Sequence, residues 1–348
     1  MAVKNTIIPN SFALDAADFP GTALTIGNFD GVHCGHARLL CRLKKMAEER
    51  GLACGVMTFT PHPREYFALL NQRPELIPTR ISTLRDKICA LQHFGADFVA
   101  LSHFSQALAQ TSPTDYIEEI LIKRLKVRYL LVGKDFRFGH KRQGDIEMLR
   151  AYGQIHGFEV ETIEDIIDPQ GVRYSSTELR NALSFGDITS ANRFMGRAYS
   201  ITGRVQHGKK LGRTLGYPTL NIRVMPHCAI RSGVYVVKVR GLLASTEETQ
   251  AQPSISQDSP PLCGLTTKSP AIAGIASLGV RPTVDTNGEV LLEVHLIDTT
   301  LDAYGKLITV EFLQHVRDEE KFPDLETLVS AMNHDLDTAR EYFNQHGL

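Results

Sequence analysis

Thr25-Ile26-Gly27-Asn28-Phe29-Asp30-Gly31-Val32-His33-Cys34-Gly35-His36 decides how the first half of this chain reads. An apolar run over residues 23–26 passes through a glycine-punctuated turn into a helical pattern over residues 36–50, closed by Gly51. A strand that feeds a helix through such a turn leaves backbone N–H groups and the positive end of the helix dipole facing the turn, where a phosphate is favoured. Glycines at 27, 31 and 35 do not fit G-x-G-x-x-G, and no G-x-x-x-x-G-K-[ST] loop occurs in the chain, so a different nucleotide-binding class is implied.

Working outward, short apolar runs at residues 54–59, 98–101, 129–132 and 160–163 alternate with helical patterns. Residues 82–94 form one such pattern, closed by Gly95, and Ser112-Pro113 supplies a cap and a first-turn proline for another that runs to about residue 125. This alternation predicts an α/β domain with a doubly wound, Rossmann-like parallel sheet. Two short helical patterns follow, at residues 176–184 and 188–194, and then the period changes. Residues 200–205, 234–239, 272–277, 290–297 and 307–312 read as strands of a small antiparallel β-barrel, and residues 325–343 as a C-terminal helix with an apolar stripe from Leu325 to Ala339 and a solvent-facing charged side. The expected organisation is a first domain over 1–186, a linker over 187–198 and a second domain over 199–348. Residues 244–270, rich in Ser, Thr, Gln and Pro, are expected to be a flexible insertion.

The 348 residues carry 38 Lys plus Arg against 39 Asp plus Glu, so no bulk field draws the chain to nucleic acid or to an anionic membrane, and phosphate must be gripped locally. Cys34, Cys41, Cys54, Cys89, Cys228 and Cys263 contain no C-x-x-C pair and read as reduced thiols. The first 20 residues hold Pro9, Asp15 and Asp18 and no unbroken apolar run, so a cytoplasmic protein is expected. The sequence sets no oligomeric state.

His33 and His36 are the expected catalytic pair of the first domain. Imidazoles at this position stabilise charge that develops on a transferring phosphoryl group, and Gly35 lets the backbone approach it. With 13 His and 27 Gly in the chain, an H-x-G-H string is expected by chance only about 0.04 times.

The string G-N-F-D-G-V-H-x-G-H resembles the signature of prokaryotic FAD synthetases, within the wider nucleotidyltransferase superfamily. Residues 58–63 (T-F-T-P-H-P), 132–139 (V-G-K-D-F-R-F-G) and 175–180 (S-S-T-E-L-R) resemble the same family. Cys34 stands where that family usually has an aliphatic residue. The resemblance implies adenylyl transfer from ATP to FMN, with Gly27, Asn28, Phe29 and Gly35 at the nucleotide and Phe59 and Asp135 at the flavin. Ser176 or Thr177 is expected to cap a helix whose amides meet phosphate, with Arg180 one turn in to grip the leaving pyrophosphate. Phe136 and Phe138 suit stacking on an isoalloxazine ring, a loop packed by its own rings being the alternative.

In the second half, residues 208–221 (G-K-K-L-G-R-T-L-G-Y-P-T-L-N) look like a riboflavin kinase signature. Gly208, Gly212 and Gly216 offer amides to ATP phosphates, while Thr219 and Asn221, in a P-T-x-N turn, present neutral oxygens that suit Mg²⁺. Within L-E-V-H-L, alternation sets Glu293 on the face opposite Leu292 and Val294, where it can act as general base on the riboflavin 5′-hydroxyl. Residues 279–284 (G-V-R-P-T-V) match the same family and bring Arg281 to the flavin, although Ser277 and Leu278 replace an expected Asn-Ile and Leu220 an expected alanine. The resemblance therefore implies a bifunctional riboflavin kinase/FAD synthetase that takes riboflavin, FMN and ATP, with Mg²⁺, and binds neither nucleic acid nor membrane. An aminoacyl-tRNA synthetase, which also uses H-x-G-H, lacks here a K-M-S-K-S-like partner. A catalytically silent flavin-binding regulator would lack Glu293 or the histidine pair.

Overall fold

The computed structural model describes residues 6–9, 20–208, 216–243, 270–280 and 290–347. Gly212, Arg281, Cys263 and nearly all of the expected 244–270 insertion lie outside the described residues. The chain separates into two compact units, Met1–Pro78 with Lys87–Tyr174, and Thr79–Asp86 with Ser175–Leu348.

The first unit is built on six parallel strands, β1 (Thr6–Pro9), β2 (Thr22–Ile26), β3 (Ala53–Thr60), β4 (Phe98–His103), β5 (Val127–Gly133) and β6 (Glu159–Ile163), in the order β1-β4-β3-β2-β5-β6. All five residues of β2 are buried, as a central parallel strand covered on both faces requires. Gly55 of β3 is a glycine because Phe98 lies over it: a Cβ there would fall 2.2 Å from the Phe98 ring. Helices α1 (Cys34–Arg50), α2 (Pro63–Leu70), α3 (Leu84–His93) and α4 (Gln106–Gln110) connect the strands, and α1 ends where Gly51 adopts φ +65°. The helix expected after Ser112 begins as α5 (Pro113–Asp115) and continues over Tyr116–Arg124 as a π-helix, wound wider than an α-helix. Helix α6 (Ile146–His156) precedes β6. Strand β1, which pairs with β4, was not anticipated.

The second unit opens with α7 (Ser176–Ser184) and α8 (Ile188–Met195). The stretch expected as a linker therefore carries a helix, whose Ile188, Ala191, Phe194 and Met195 are buried. Asn192 ties it to the barrel: its Nδ2 donates to Phe312 O at 3.0 Å and its Oδ1 accepts from Tyr199 N at 2.6 Å. The barrel strands are β7 (Tyr199–Gln206), β8 (Thr219–Arg223), β9 (Gly233–Arg240), β10 (Ile272–Val280), β11 (Val290–Leu296) and β12 (Leu307–Arg317), closed in the order β10-β11-β8-β7-β12-β9. The expected P-T-x-N turn is corrected to strand β8. Leu220 and Ile222 alternate with Thr219, Asn221 and Arg223, and the strand pairs with both β7 and β11.

Helix α9 (Leu325–Gln345) packs on the outside of the barrel through Leu336, Ala339 and Phe343 against Val234, Val236 and Ile275. Leu325, expected on the buried stripe, is 58% exposed. Its charged side is not wholly solvent-facing either: Asp335 is buried and accepts from Arg317 Nε at 2.9 Å and Nη2 at 2.8 Å.

Candidate active sites

Strand order reverses beside β2. The chain runs outward from it through β3 and β4 on one side and through β5 and β6 on the other, and ligands of open α/β sheets bind beyond the strand ends at such a point. Three stretches singled out in the sequence leave the carboxyl ends of β2, β3 and β5, so the fold gathers them on one edge of the sheet.

The loop after β2 holds an unusual backbone. Phe29 (φ +49°), Gly31 (φ +82°) and Val32 (φ +40°) all lie in the left-handed region, which side chains other than glycine's rarely adopt. Phe29 and Val32 are buried, and that packing secures the turn. His33 is the N-cap residue of α1, and the first turn of this helix carries no acidic residue, which keeps its N-terminus favourable to an anion. The His33 and His36 rings stack at 3.7 Å between centroids, and Phe29 lies 4.9 Å from His36. A Cβ at Gly35 would fall 3.0 Å from Tyr174 Cβ and 3.1 Å from the His33 ring, so glycine is what fits between them. Gly27 N donates to Met57 O at 3.1 Å.

Of the expected flavin residues, Phe59 is half-buried and meets Phe104 edge-on at 5.8 Å, while Asp135 is exposed. Phe138 is only 5% exposed and packs on Tyr116, so Phe136, half-buried and stacked 5.8 Å from Phe138, is the ring of the two with surface left to offer. Cys34 is buried at the start of α1, consistent with its standing in an apolar position.

Ser176, Thr177 and Arg180 lie on α7, in the second unit. The cap is Ser175, one residue earlier than expected: its Oγ accepts from Glu178 N at 3.1 Å, the reach of an N-cap to the third helical residue. Ser176 and Thr177 are thus the first helical residues. Arg180 donates through Nε to Thr79 O at 2.7 Å and through Nη1 to Ser176 O at 3.2 Å.

On the barrel wall, Glu293 of β11 stands directly opposite Asn221 of β8 and Ser277 of β10, and His295 opposite Thr219. Directly paired residues project to the same side, so the expected base and the expected metal residues share one face, outside the Leu292-Val294-Leu296 interior row. Asn221 is 6% exposed. Its Nδ2 lies 3.3 Å from Thr219 O, while its buried Oδ1 has no hydrogen-bond partner among the described residues. Gly208 lies against this amide: a Cβ there would fall 2.5 Å from Asn221 Nδ2. Gly216 adopts φ +86° in open space. His295 Nδ1 lies 3.0 Å from Pro218 O, which fixes the approach to Thr219. A cavity of about 310 Å³ opens beside this row, with Thr219, Leu220, Leu296, Leu301 and Tyr304 in its walls.

Two residues near these sites carry no sequence signal. Glu319 lies over Gly279, where a Cβ would fall 1.8 Å from its Oε1; burial first, and then the charge of Glu293, raise its carboxyl above the ordinary range. Lys87 of α3 reaches back to the ends of β2 and β3.

Two family models divide the chain between them. A model described as FAD synthetase matches residues 15–178, and one described as riboflavin kinase matches residues 195–343. The chain is 40% identical over 326 residues to the bifunctional riboflavin kinase/FMN adenylyltransferase of Haemophilus influenzae, covering 93% of this chain and 95% of that one. To the protein of the same description from Escherichia coli strain K12 it is 37% identical over 330 residues, 95% of each chain. A solved structure described as a macrolide-efflux protein from Streptococcus pneumoniae superposes with a TM-score of 0.74 at 28% identity, covering 96% of this chain and 98% of that one. The chain belongs to the bifunctional riboflavin kinase/FMN adenylyltransferase family: it phosphorylates riboflavin to FMN and adenylylates FMN to FAD. Among the described residues no helix is long and apolar enough to cross a membrane.

Proposed function

We propose that the two steps divide between the two units, with riboflavin phosphorylation on the barrel wall around Glu293 and adenylyl transfer at the loop between β2 and α1. The observation that carries the first assignment is the register that sets Glu293 opposite Asn221, with Thr219 two residues away on the same face.

On the barrel wall, Glu293 accepts the proton of the riboflavin 5′-hydroxyl as that oxygen bonds to the γ-phosphorus of ATP and the bond to the bridging β,γ-oxygen breaks, leaving FMN and ADP. Thr219 Oγ1 and Asn221 Oδ1 would hold Mg²⁺. The buried, unpartnered Oδ1 fits a hard cation, because such an oxygen otherwise costs about 1–3 kcal/mol. When bound, the ion neutralises charge on the phosphates. The walls of the 310 Å³ cavity beside Thr219 suit the adenosine end of ATP. Gly208 and Gly216 offer backbone amides to phosphate, and Gly212 and Arg281, outside the described residues, are assigned to phosphate and to the flavin on the resemblance alone.

In the first unit, a phosphate oxygen of FMN attacks the α-phosphorus of ATP and pyrophosphate leaves. The nucleophile is already ionised, so no general base is required. His33, His36 and the first-turn amides of α1 stabilise the charge that gathers on the α-phosphoryl oxygens. The backbone from Gly27 to Phe29 and at Gly35 lies along the nucleotide, Phe59, Asp135 and Phe136 belong to the flavin side, and Phe138 backs Phe136. Ser176, Thr177 and Arg180, on α7 of the second unit, are assigned to ATP phosphate on the resemblance alone. The domain limits 1–186 and 199–348 are kept as a reading of the sequence, although the compact units divide between Tyr174 and Ser175. The protein is assigned to the cytoplasm.

Replacing Glu293 by Gln tests the first assignment. FMN formation from riboflavin should fall about 10²–10⁴-fold, the range of a lost general base, with adenylylation of supplied FMN unchanged. Unchanged riboflavin phosphorylation would remove Glu293 from the role.

A further inference from the structure

Lys87 sits on a helix that no signature covers, yet its ammonium is aimed at the carboxyl ends of two central strands. Its Nζ donates to Asn28 O at 3.2 Å, to Thr58 Oγ1 at 3.2 Å and to Phe59 O at 3.4 Å. Thr58, fully buried, turns its own hydroxyl to the same Asn28 oxygen at 3.1 Å. One carbonyl, Asn28 O, thus accepts from two side chains that come from β3 and α3.

That carbonyl belongs to the peptide linking Asn28 to Phe29, the residue at φ +49°. Rotating this peptide plane changes ψ of Asn28 and φ of Phe29 together, so holding its carbonyl oxygen constrains the φ of Phe29. A left-handed non-glycine residue is strained and persists only where its surroundings over-determine it. Hydrogen bonds from a charged donor are among the stronger ones a backbone carbonyl accepts, and they help to hold it there. The same ammonium also holds the Phe59 carbonyl, at the end of the neighbouring strand. It therefore fixes the spacing between the loop that carries the histidines and the strand end that carries a flavin-side ring.

We propose that Lys87 is a positioning residue of the adenylylation site: it holds the Asn28–Phe29 peptide in the orientation that sets His33 and His36, and locks that loop to the end of β3. It acts through the backbone and touches no reacting atom. The proposal rests on adenylyl transfer taking place at this loop, which His36→Ala reports separately.

The test is steady-state kinetics of the full chain carrying Lys87→Met, Lys87→Arg or Thr58→Val, with FMN adenylylation and riboflavin phosphorylation measured on the same preparation. Displacement of the loop by about 1 Å predicts a fall in kcat for FAD formation of roughly 10–100-fold in Lys87→Met, a smaller fall in Thr58→Val, and recovery of most of the rate in Lys87→Arg. Riboflavin phosphorylation should stay within about twofold of the parent, since a loss confined to transition-state positioning spares the other head. Lys87→Met with parental adenylylation overturns the proposal. So does a loss of both activities together with a lowered melting temperature in Lys87→Met and Thr58→Val alike, which would make Lys87 a general support of the fold. If His36→Ala still makes FAD at the parental rate, the placement of adenylyl transfer at this loop fails, whatever Lys87 does.

Discussion

Asn221 is costly to the fold and, on the proposed reading, useful to the reaction. Its Oδ1 is buried without a hydrogen-bond partner among the described residues, so Asn221→Leu, of similar size, should leave the urea midpoint equal to or above that of the parent. The same variant should need at least about tenfold more Mg²⁺ for half-maximal riboflavin phosphorylation, since one of few cation ligands is gone. A titration of rate against Mg²⁺ checks this, and an unchanged requirement would remove Asn221 from the cation site. Cys54 illustrates the reverse case, a group the fold keeps inert. Burial foremost, and then the charge of Asp97, push its thiol from the ordinary 9.0 up to about 12. The native chain keeps this proton where the unfolded chain releases it, so the contribution to stability is complete below about pH 9 and is lost as pH rises toward 12. Iodoacetamide at pH 8 should leave Cys54 unlabelled in the native protein and label it after urea. The histidine pair was legible as a string because His33 and His36 stand at the start of one helix that follows a readable strand. Lys87 was not, because a lysine in an amphipathic helix ordinarily faces water, and only the fold shows what its ammonium meets.

At the scale of elements, periodicity located the inner strands of the sheet and most helices, since buried parallel strands read as continuous apolar runs. It missed β1, whose Thr-Ile-Ile-Pro is too short to show a period. It also missed β8, where the proline before Thr219 and the asparagine at 221 imitate a turn while Leu220 and Ile222 alternate as in a strand. Helix α9 was found, but its apolar stripe said nothing of Asp335, a carboxylate buried against Arg317 at the end of β12. The side-chain hydrogen bond to Asp335, against a smaller desolvation effect, raises the Arg317 guanidinium further above its ordinary range. Asp335 is the buried member of this pair, while Arg317 stays partly exposed and also pairs with Glu320. Asp335→Ala should therefore lower stability by about 1–3 kcal/mol in urea denaturation, and Asp335→Ala with Arg317→Met by clearly less than the sum of the two single changes. Strict additivity would show that the pair does not couple helix to barrel.

Across the whole molecule, each compact unit has its own core, one around Leu24, Phe98 and Leu130 and the other including Val236, Ile275 and Ala339. Each also carries a complete chemical idea: histidines beside a helix N-terminus in one, a carboxylate beside neutral oxygens in the other. On the proposed division FMN is the product of the second unit and the substrate of the first, so the two activities are expected to be separable by single substitutions and joined only through FMN. The measurement that tests this most directly is flavin chromatography after riboflavin, ATP and Mg²⁺ are incubated with an equal mixture of the His36→Ala and Glu293→Gln chains. The account predicts that His36→Ala alone stops at FMN, that Glu293→Gln alone leaves riboflavin unchanged, and that the mixture accumulates FAD. A mixture of folded chains that makes no FAD would contradict it.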